Sequence, residues 1–168
     1  MRFLKGILFV ILIAMVVSTV AFIFYNSSLP PEKSSEQSSV VGDIIAGIIP
    51  PETEAGGFIQ KYLRKIAHFT EYGLLGVELT LLVLIYSKRR VRHFLLSLTA
   101  AVFVALTDET VQMFSKRGPS VYDVWIDVGG FVFFATLTLI VGCAVYLVFV
   151  RPFLHRTPRY ILIERKEQ

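Results

Sequence analysis

The sequence predicts an all-α membrane protein, a bundle of four transmembrane helices with both termini in the cytoplasm. Its 168 residues are 54% hydrophobic and only 18% charged. Globular domains carry about 25% charged residues, so this composition argues against a soluble domain. Disorder requires low hydrophobicity and is excluded as well. The single cysteine, Cys143, excludes an intramolecular disulfide and a cysteine-based zinc site.

Four apolar stretches supply the predicted spans. Gly6–Pro31 contains no acidic or basic residue and Val128–Val150 contains no charge. Both exceed the roughly 20 residues that a helix needs to cross a bilayer. Ile66–Tyr86 and Phe94–Phe114 are interrupted by a few ionisable residues but are mostly apolar. The first stretch is longer than the apolar region of a secretory signal and lacks a clear cleavage site, which indicates an uncleaved signal anchor.

The positive charges set the predicted orientation. Of the 17 Lys and Arg residues, 11 precede the first span, join the second to the third, or follow the fourth. The positive-inside rule places that side in the cytoplasm. The excess charge is therefore a topology signal. Because no basic patch accompanies a base-reading element, no nucleic-acid partner is predicted.

The chain between the first two spans divides into two predicted parts. Asn26–Ser39 is rich in Ser, Pro and Glu, which predicts a flexible linker. Val40–Ile49 has apolar residues at helical spacing and predicts a short helix, either on the outer membrane surface or as a hydrophobic plug over the bundle. The predicted organisation is a first transmembrane helix, an outer linker with this short helix, a three-helix core and a basic cytoplasmic tail, at residues 1–25, 26–60, 61–150 and 151–168.

Three of the spans carry polar stripes. Charged side chains in a membrane helix cost about 2.5–3.5 kcal/mol at its centre, so they should face the bundle interior and find partners there. We therefore expect one shared polar cavity, open to the outside. The stripes contain Lys61, Arg64, Lys65, His68, Glu71, Tyr72 and Glu78 in the second span, Asp108, Glu109 and Gln112 in the third, and Ser120, Asp123, Asp127 and Gly130 in the fourth. Gly129 and Gly130 would let another helix approach closely.

These charges admit a purely structural interpretation. The predicted pairs are then Lys65 with Asp108, His68 with Glu109, and Arg117 with Asp123 or Asp127. A closed ionic cluster stabilises a fold poorly, because the desolvation cost largely cancels the Coulomb attraction. A ligand-binding or catalytic site is therefore the preferred interpretation. Glu78 stands apart from the others and is expected simply to hydrogen-bond to a neighbouring helix.

Two sequence blocks resemble a known family. The first is Arg64–Tyr72 with Leu75 following. The second is Thr107–Phe114, followed by Arg117, Ser120, Asp123, Val124, Asp127 and Gly130. Together they resemble VanZ-like membrane proteins over roughly Ile66–Val150. The resemblance implies a bacterial plasma-membrane protein linked to resistance against glycopeptide antibiotics of the teicoplanin type, and it leaves the molecular mechanism open.

Three functions remain open at this point. The preferred one is binding or movement of an anionic lipid or lipid-linked cell-wall precursor, because clustered Arg and Lys recognise phosphate. An enzyme acting on a phospholipid or polyprenyl-phosphate headgroup is the second, although no catalytic signature is present. Its acid and base candidates are His68, Asp108 and Glu109. The third is a non-catalytic envelope regulator held by a structural ion-pair network.

The predicted ligand-binding residues come from all three polar stripes. They are Arg64, Lys65, His68, Glu71, Tyr72, Asp108, Glu109, Gln112, Arg117, Ser120, Asp123 and Asp127. No cofactor and no metal site are predicted, and a divalent metal at the carboxylates is the single cofactor that the residues would admit. The expected partners are membrane lipids or lipid-linked wall precursors. Arg117→Lys is expected to keep thermal stability but to lose glycopeptide tolerance, because Lys lacks the planar fork of Arg.

Overall fold

A computed structural model of the protein describes residues 2–115 and 120–151. Within these ranges the chain is helical and contains no strand. Four of its helices are long and apolar enough to cross a membrane, which confirms the predicted all-α fold with four membrane spans. The helices are α1 (Arg2–Ser28), α2 (Pro31–Ala46), α3 (Glu54–Tyr86), α4 (Arg90–Phe114) and α5 (Val121–Val145), and a π-helical turn (Tyr146–Val150) continues α5. Arg117 and nearly all of the predicted basic tail lie outside the described residues.

The four long helices alternate in direction. At one end of the bundle, the Ser115 hydroxyl donates a hydrogen bond of 2.8 Å to the Ser27 carbonyl, which joins the ends of α4 and α1. At the other end, the Tyr86 hydroxyl donates to the Lys5 carbonyl at 2.7 Å and joins α3 to the start of α1. We call the first of these the polar end, because most of the predicted ligand-binding residues lie there.

Small residues hold α3 and α5 at close range, and these two helices share the most extensive contact in the bundle. A Cβ atom at Gly130 would overlap the Phe69 backbone, and one at Gly76 would overlap the Phe131 carbonyl. Close approach at Gly130 is as predicted. Gly129 does not share it, because the nearest atom to a Cβ there would be a Phe69 ring carbon at 4.0 Å.

The bundle has a small buried core and an apolar exterior. The core contains Ile23, Tyr72, Leu75, Ala101, Ala105, Phe131 and Ala135. Large apolar side chains such as Phe103 and Trp125 are exposed, the latter by 71%. An exterior of this kind suits contact with lipid, since soluble monomers rarely expose such large apolar patches.

The predicted flexible linker is wrong over most of its length. From Pro31 onward the chain forms α2, although Ser, Glu and Gln dominate its first turns. Proline at the first helical position is already preorganised for a helix. The hydroxyls of Ser35 and Ser38 donate to the carbonyls four residues earlier, at 2.8 and 2.9 Å, so these side chains bond within the helix.

The predicted short helix at Val40–Ile49 forms the second half of α2 and ends at Ala46. Its buried residue, Gly42, lies against Leu63 of α3. Val41 and Ile44 remain exposed. The structure therefore favours a helix beside the bundle over a plug on top of it.

The second span begins earlier than its apolar stretch suggests. α3 starts at Glu54, where the Thr53 side chain accepts a hydrogen bond from the Gly56 amide at 3.0 Å. This N-cap satisfies one of the free amides of the first turn. Lys61, Arg64 and Lys65 thus belong to the same continuous helix as His68.

Candidate functional site

The site is centred on His68 of α3, which lies between two aspartates from different helices. Its Nδ1 atom is 3.7 Å from Oδ2 of Asp108 on α4 and 3.6 Å from Oδ1 of Asp127 on α5. Both aspartates are completely buried, and the His68 side chain is 14% exposed. The predicted pairing of His68 with Glu109 is wrong, because Glu109 points about 100° around α4 from Asp108.

Gln112 connects this centre to Arg64. Its Nε2 atom donates to Oδ2 of Asp108 at 3.3 Å and to Oε1 of Glu109 at 3.2 Å. Its Oε1 atom accepts a 2.8 Å hydrogen bond from Nη2 of Arg64. The second Glu109 oxygen accepts from the Ser120 amide at 2.7 Å. Both Glu109 oxygens are thus engaged, one within α4 and the other at the start of α5.

Lys65 pairs with Asp123 and not with Asp108 as predicted. Its Nζ atom lies 3.3 Å from Oδ1 of Asp123, with 44% of the lysine side chain and 32% of the aspartate side chain exposed. The same Nζ atom lies 4.7 Å from the Tyr122 ring centroid. Asp108 is unavailable to Lys65 because it is buried beside His68. The predicted pairing of Arg117 falls outside the described residues.

Two further carboxylates bond to α1. Glu71 accepts a 2.9 Å hydrogen bond from Asn26, and Glu78 accepts one of 2.9 Å from Thr19. The Glu78 bond confirms the expectation that this residue hydrogen-bonds to a neighbouring helix.

Two cavities meet at Arg64 and His68, where the sequence predicted one. The larger, of about 580 Å³, lies between α1, α2 and α3 and is mostly apolar, with Asn26, Arg64, His68 and Glu71 at its polar part. The smaller, of about 160 Å³, lies between α3 and α5. It is lined by Lys61, Arg64, Lys65, His68, Asp123, Ile126 and Asp127.

The family model described as VanZ/LLP1 matches residues 8–149, which is most of the chain. The chain belongs to the VanZ/LLP1 family. This confirms the resemblance seen in the two sequence blocks, and the match also takes in most of α1 and all of α2. No curated protein and no solved structure matches the chain.

The VanZ/LLP1 bundle divides the predicted ligand-binding residues into groups. Six of them border a cavity, four are buried behind it, and Ser120 binds Glu109 through its amide, while Arg117 is outside the described residues. Those at a cavity are Arg64, Lys65, His68, Glu71, Asp123 and Asp127. Those behind it are Tyr72, Asp108, Glu109 and Gln112.

Sequence reasoning missed the contribution of α1 to this VanZ/LLP1 site. Asn26 binds Glu71 and lines the larger cavity. Ser27 is completely buried and lies beside Asp108. An Asn at the end of an otherwise apolar stretch was the available signal. Thr19 offered none, because a single threonine is common in such helices and its hydroxyl usually bonds to its own backbone.

Proposed function

We propose that this VanZ/LLP1 protein binds, and moves or presents, an anionic lipid or lipid-linked cell-wall precursor. The observation that carries this proposal is the larger cavity. The cavity is mostly apolar, with Phe22 of α1 and Val40 and Val41 of α2 in its lining, and Arg64 and His68 lie at its polar part. The first turns of α2 add polar residues to the lining, namely Ser34, Glu36, Gln37 and Ser38. A cavity with this division matches a molecule with an apolar chain and a charged headgroup.

The size of the cavity supports the same conclusion. About 580 Å³ lies within the range of roughly 300–1,000 Å³ that ligand pockets span. That volume suits a headgroup and the first part of a chain. Phe22 and Tyr25 of α1 line the cavity and are exposed, so the rest of a chain would continue along α1 into the surrounding bilayer.

Arg64 is the residue best placed to hold a phosphate. It is exposed, it lines both cavities, and it uses Nη2 to bind Gln112. Within the described ranges it forms no salt bridge. Its remaining guanidinium donors can therefore form the paired hydrogen bonds that Arg makes with phosphate oxygens.

The orientation of the chain and its family together indicate where in the cell the cavity opens. The distribution of Lys and Arg supports a polar end that faces out of the cell, with both termini in the cytoplasm of a bacterium. The cavity then opens at the outer leaflet of the plasma membrane. Binding there alters what a glycopeptide antibiotic of the teicoplanin type meets at the membrane surface, and this supplies a physical route to tolerance.

Native mass spectrometry of the protein, purified in detergent from bacterial membranes, tests the proposal. We expect a co-purifying anionic lipid on the wild type and a loss of most of it in Arg64→Gln. Arg92→Gln is the matched control. It removes the same charge from an exposed position at the start of α4, which lies at the end of the bundle away from the cavity. Equal lipid occupancy in the two variants would contradict the proposal and would favour a regulator with a structural network.

The proposed orientation has its own test. Single cysteines at Ser87 and Ser120 in a Cys143→Ala background are exposed to a membrane-impermeant maleimide in intact cells. We expect labelling at Ser120 and none at Ser87. Labelling only at Ser87 would reverse the orientation and move the cavity to the cytoplasmic leaflet.

Chemistry on the bound headgroup is a second candidate. His68 favours it, because this side chain borders both cavities and touches two buried carboxylates. Of the three predicted acid and base groups, Glu109 is engaged by Gln112 and Ser120, which leaves His68 and Asp108. Release of phosphate from phospholipid or polyprenyl phosphate in detergent, compared between wild type and His68→Gln, tests this candidate.

A further inference from the structure

We infer that His68, Asp108 and Asp127 form a binding site for one divalent metal ion at the polar end of the bundle. Each residue offers one ligand atom, and the three atoms lie within 4.8 Å of one another. The three residues come from α3, α4 and α5, so the site exists only when these helices are packed together. The inference goes beyond lipid binding and does not depend on it.

The distances are close to those of a coordinated ion. Zinc lies about 2.0–2.2 Å from imidazole nitrogen and carboxylate oxygen, so two ligand atoms of a tetrahedral site are separated by roughly 3.3–3.6 Å. Nδ1 of His68 is 3.7 Å from the Asp108 oxygen and 3.6 Å from the Asp127 oxygen. These two distances are already near the tetrahedral values, and the two carboxylate oxygens, which lie within 4.8 Å of each other, would approach one another on binding. The close packing at Gly130, three residues after Asp127, keeps α5 near α3.

The ligand atoms lack other partners. Both Asp127 oxygens, Oδ1 of Asp108 and Nδ1 of His68 have no hydrogen-bond partner in the described part of the chain. Distances of 3.6 and 3.7 Å are too long for hydrogen bonds. Buried polar atoms are nearly always satisfied, so the two unpaired oxygens of the completely buried Asp127 point to a missing ligand. Asp108 has the Ser27 side chain beside it as well.

Charge balance supports a divalent cation at this position. A divalent ion is bound by the ionised form of both aspartates and the neutral form of His68, and it neutralises their two negative charges. The described Lys and Arg side chains do not reach them, because Arg64 binds Gln112 and Lys65 binds Asp123. Gln112 also donates to Asp108 and so holds one carboxylate in place, as outer hydrogen bonds do around metal ligands.

The set of ligands indicates which ion would bind. One imidazole with two carboxylates suits a borderline or hard transition ion such as Zn²⁺ or Mn²⁺, whereas Ca²⁺ prefers six to eight oxygens. Three protein ligands leave at least one coordination position open. His68 and Asp127 both line the smaller cavity together with Lys61 and Arg64. An oxygen of a phosphate group in that cavity therefore suits the open position.

Metal binding is measured on the full-length protein in detergent. After treatment with EDTA and its removal, Zn²⁺ and Mn²⁺ are titrated by calorimetry, and bound metal is counted by elemental analysis. We expect one ion per chain and a loss of at least about tenfold in affinity for Asp127→Asn and for Asp108→Asn. Asp123→Asn is the control, since this aspartate is near the site but bonds to Lys65.

A spectroscopic measurement on the wild type keeps the test independent of how the variants fold. Co²⁺ added to the EDTA-treated protein should give visible absorption bands of a site with mixed nitrogen and oxygen ligands, and Zn²⁺ should abolish them. Absence of bands together with absence of calorimetric binding would overturn the inference, as would equal losses in Asp123→Asn and Asp127→Asn. Arg64→Gln should still bind the ion, so failure of lipid binding and failure of metal binding are separate results.

Discussion

Two groups of buried carboxylates in this bundle show what distinguishes a candidate site from an ordinary polar contact. Glu78 meets one hydroxyl, that of Thr19, and borders neither of the two cavities that meet at His68. Asp108 and Asp127 converge on His68 from two further helices, beside the smaller cavity. Burial of an acid in a membrane helix is common to both groups. Only Asp108 and Asp127 combine side chains from several helices with a neighbouring cavity, and we assign function to these two.

The largest expected effect comes from breaking the packing that brings Asp127 to His68. Gly130→Ala places a Cβ against the Phe69 backbone, and overpacking of this kind typically costs about 1–3 kcal/mol or more. We expect a strongly lowered thermal midpoint in detergent, measured by fluorescence. Gly129→Ala is the matched control, because a Cβ there meets only a ring carbon at 4.0 Å. Equal midpoints for the two variants would show that α5 does not depend on this contact.

Neutralising one acid in each group compares them directly. Asp127→Asn should remove most of the glycopeptide tolerance, because it takes a charge from the centre at His68. Glu78→Gln should retain tolerance, since its amide oxygen can still accept from Thr19. Both are assayed as minimum inhibitory concentrations in the same strain at matched expression. A loss of tolerance in Glu78→Gln alone would place the function at the middle of the bundle.

Removing the partner of Glu78 should affect stability and leave function intact. Thr19→Val deletes the 2.9 Å hydrogen bond to a buried carboxyl group, and an unsatisfied buried group costs about 1–3 kcal/mol. Thermal unfolding should therefore shift, with unchanged tolerance. The double variant Thr19→Val with Glu78→Leu should recover much of the lost stability. Failure to recover would mean that the cost arises from packing and not from the lost hydrogen bond.

The smallest effect is expected at the exposed pair. Lys65→Gln should change the free energy of unfolding by no more than about 1 kcal/mol, because both side chains of the pair are partly exposed. A double-mutant cycle with Asp123→Asn measures the pair itself, at low and high salt. A coupling energy that high salt does not reduce would show that this pair is shielded from solvent and belongs to the buried site.

Helical periodicity made the spans and their polar faces predictable. Which side chains would meet was not predictable, because neighbours such as Asp108 and Glu109 point about 100° apart and a small rotation of α4 exchanges them. The sequence therefore placed both acids at the site but paired the wrong one with His68. The first half of α2 escaped prediction for another reason, since its Ser-rich composition is typical of linkers while its proline start and internal hydroxyl bonds favour a helix.

The length of α3 has a consequence for the membrane around it. Its 33 residues rise about 50 Å, whereas the hydrocarbon layer is roughly 30 Å thick. Counted from Tyr86, His68 lies about 27 Å along the axis and Arg64 about 33 Å. With Tyr86 taken as the opposite boundary and α3 upright, the histidine centre lies just beneath the hydrocarbon boundary and the arginine just above it. Bilayer thickness thus determines how deep this site lies. In a membrane of lipids with longer acyl chains, the thicker hydrocarbon layer would include Arg64, which otherwise lies among the headgroups.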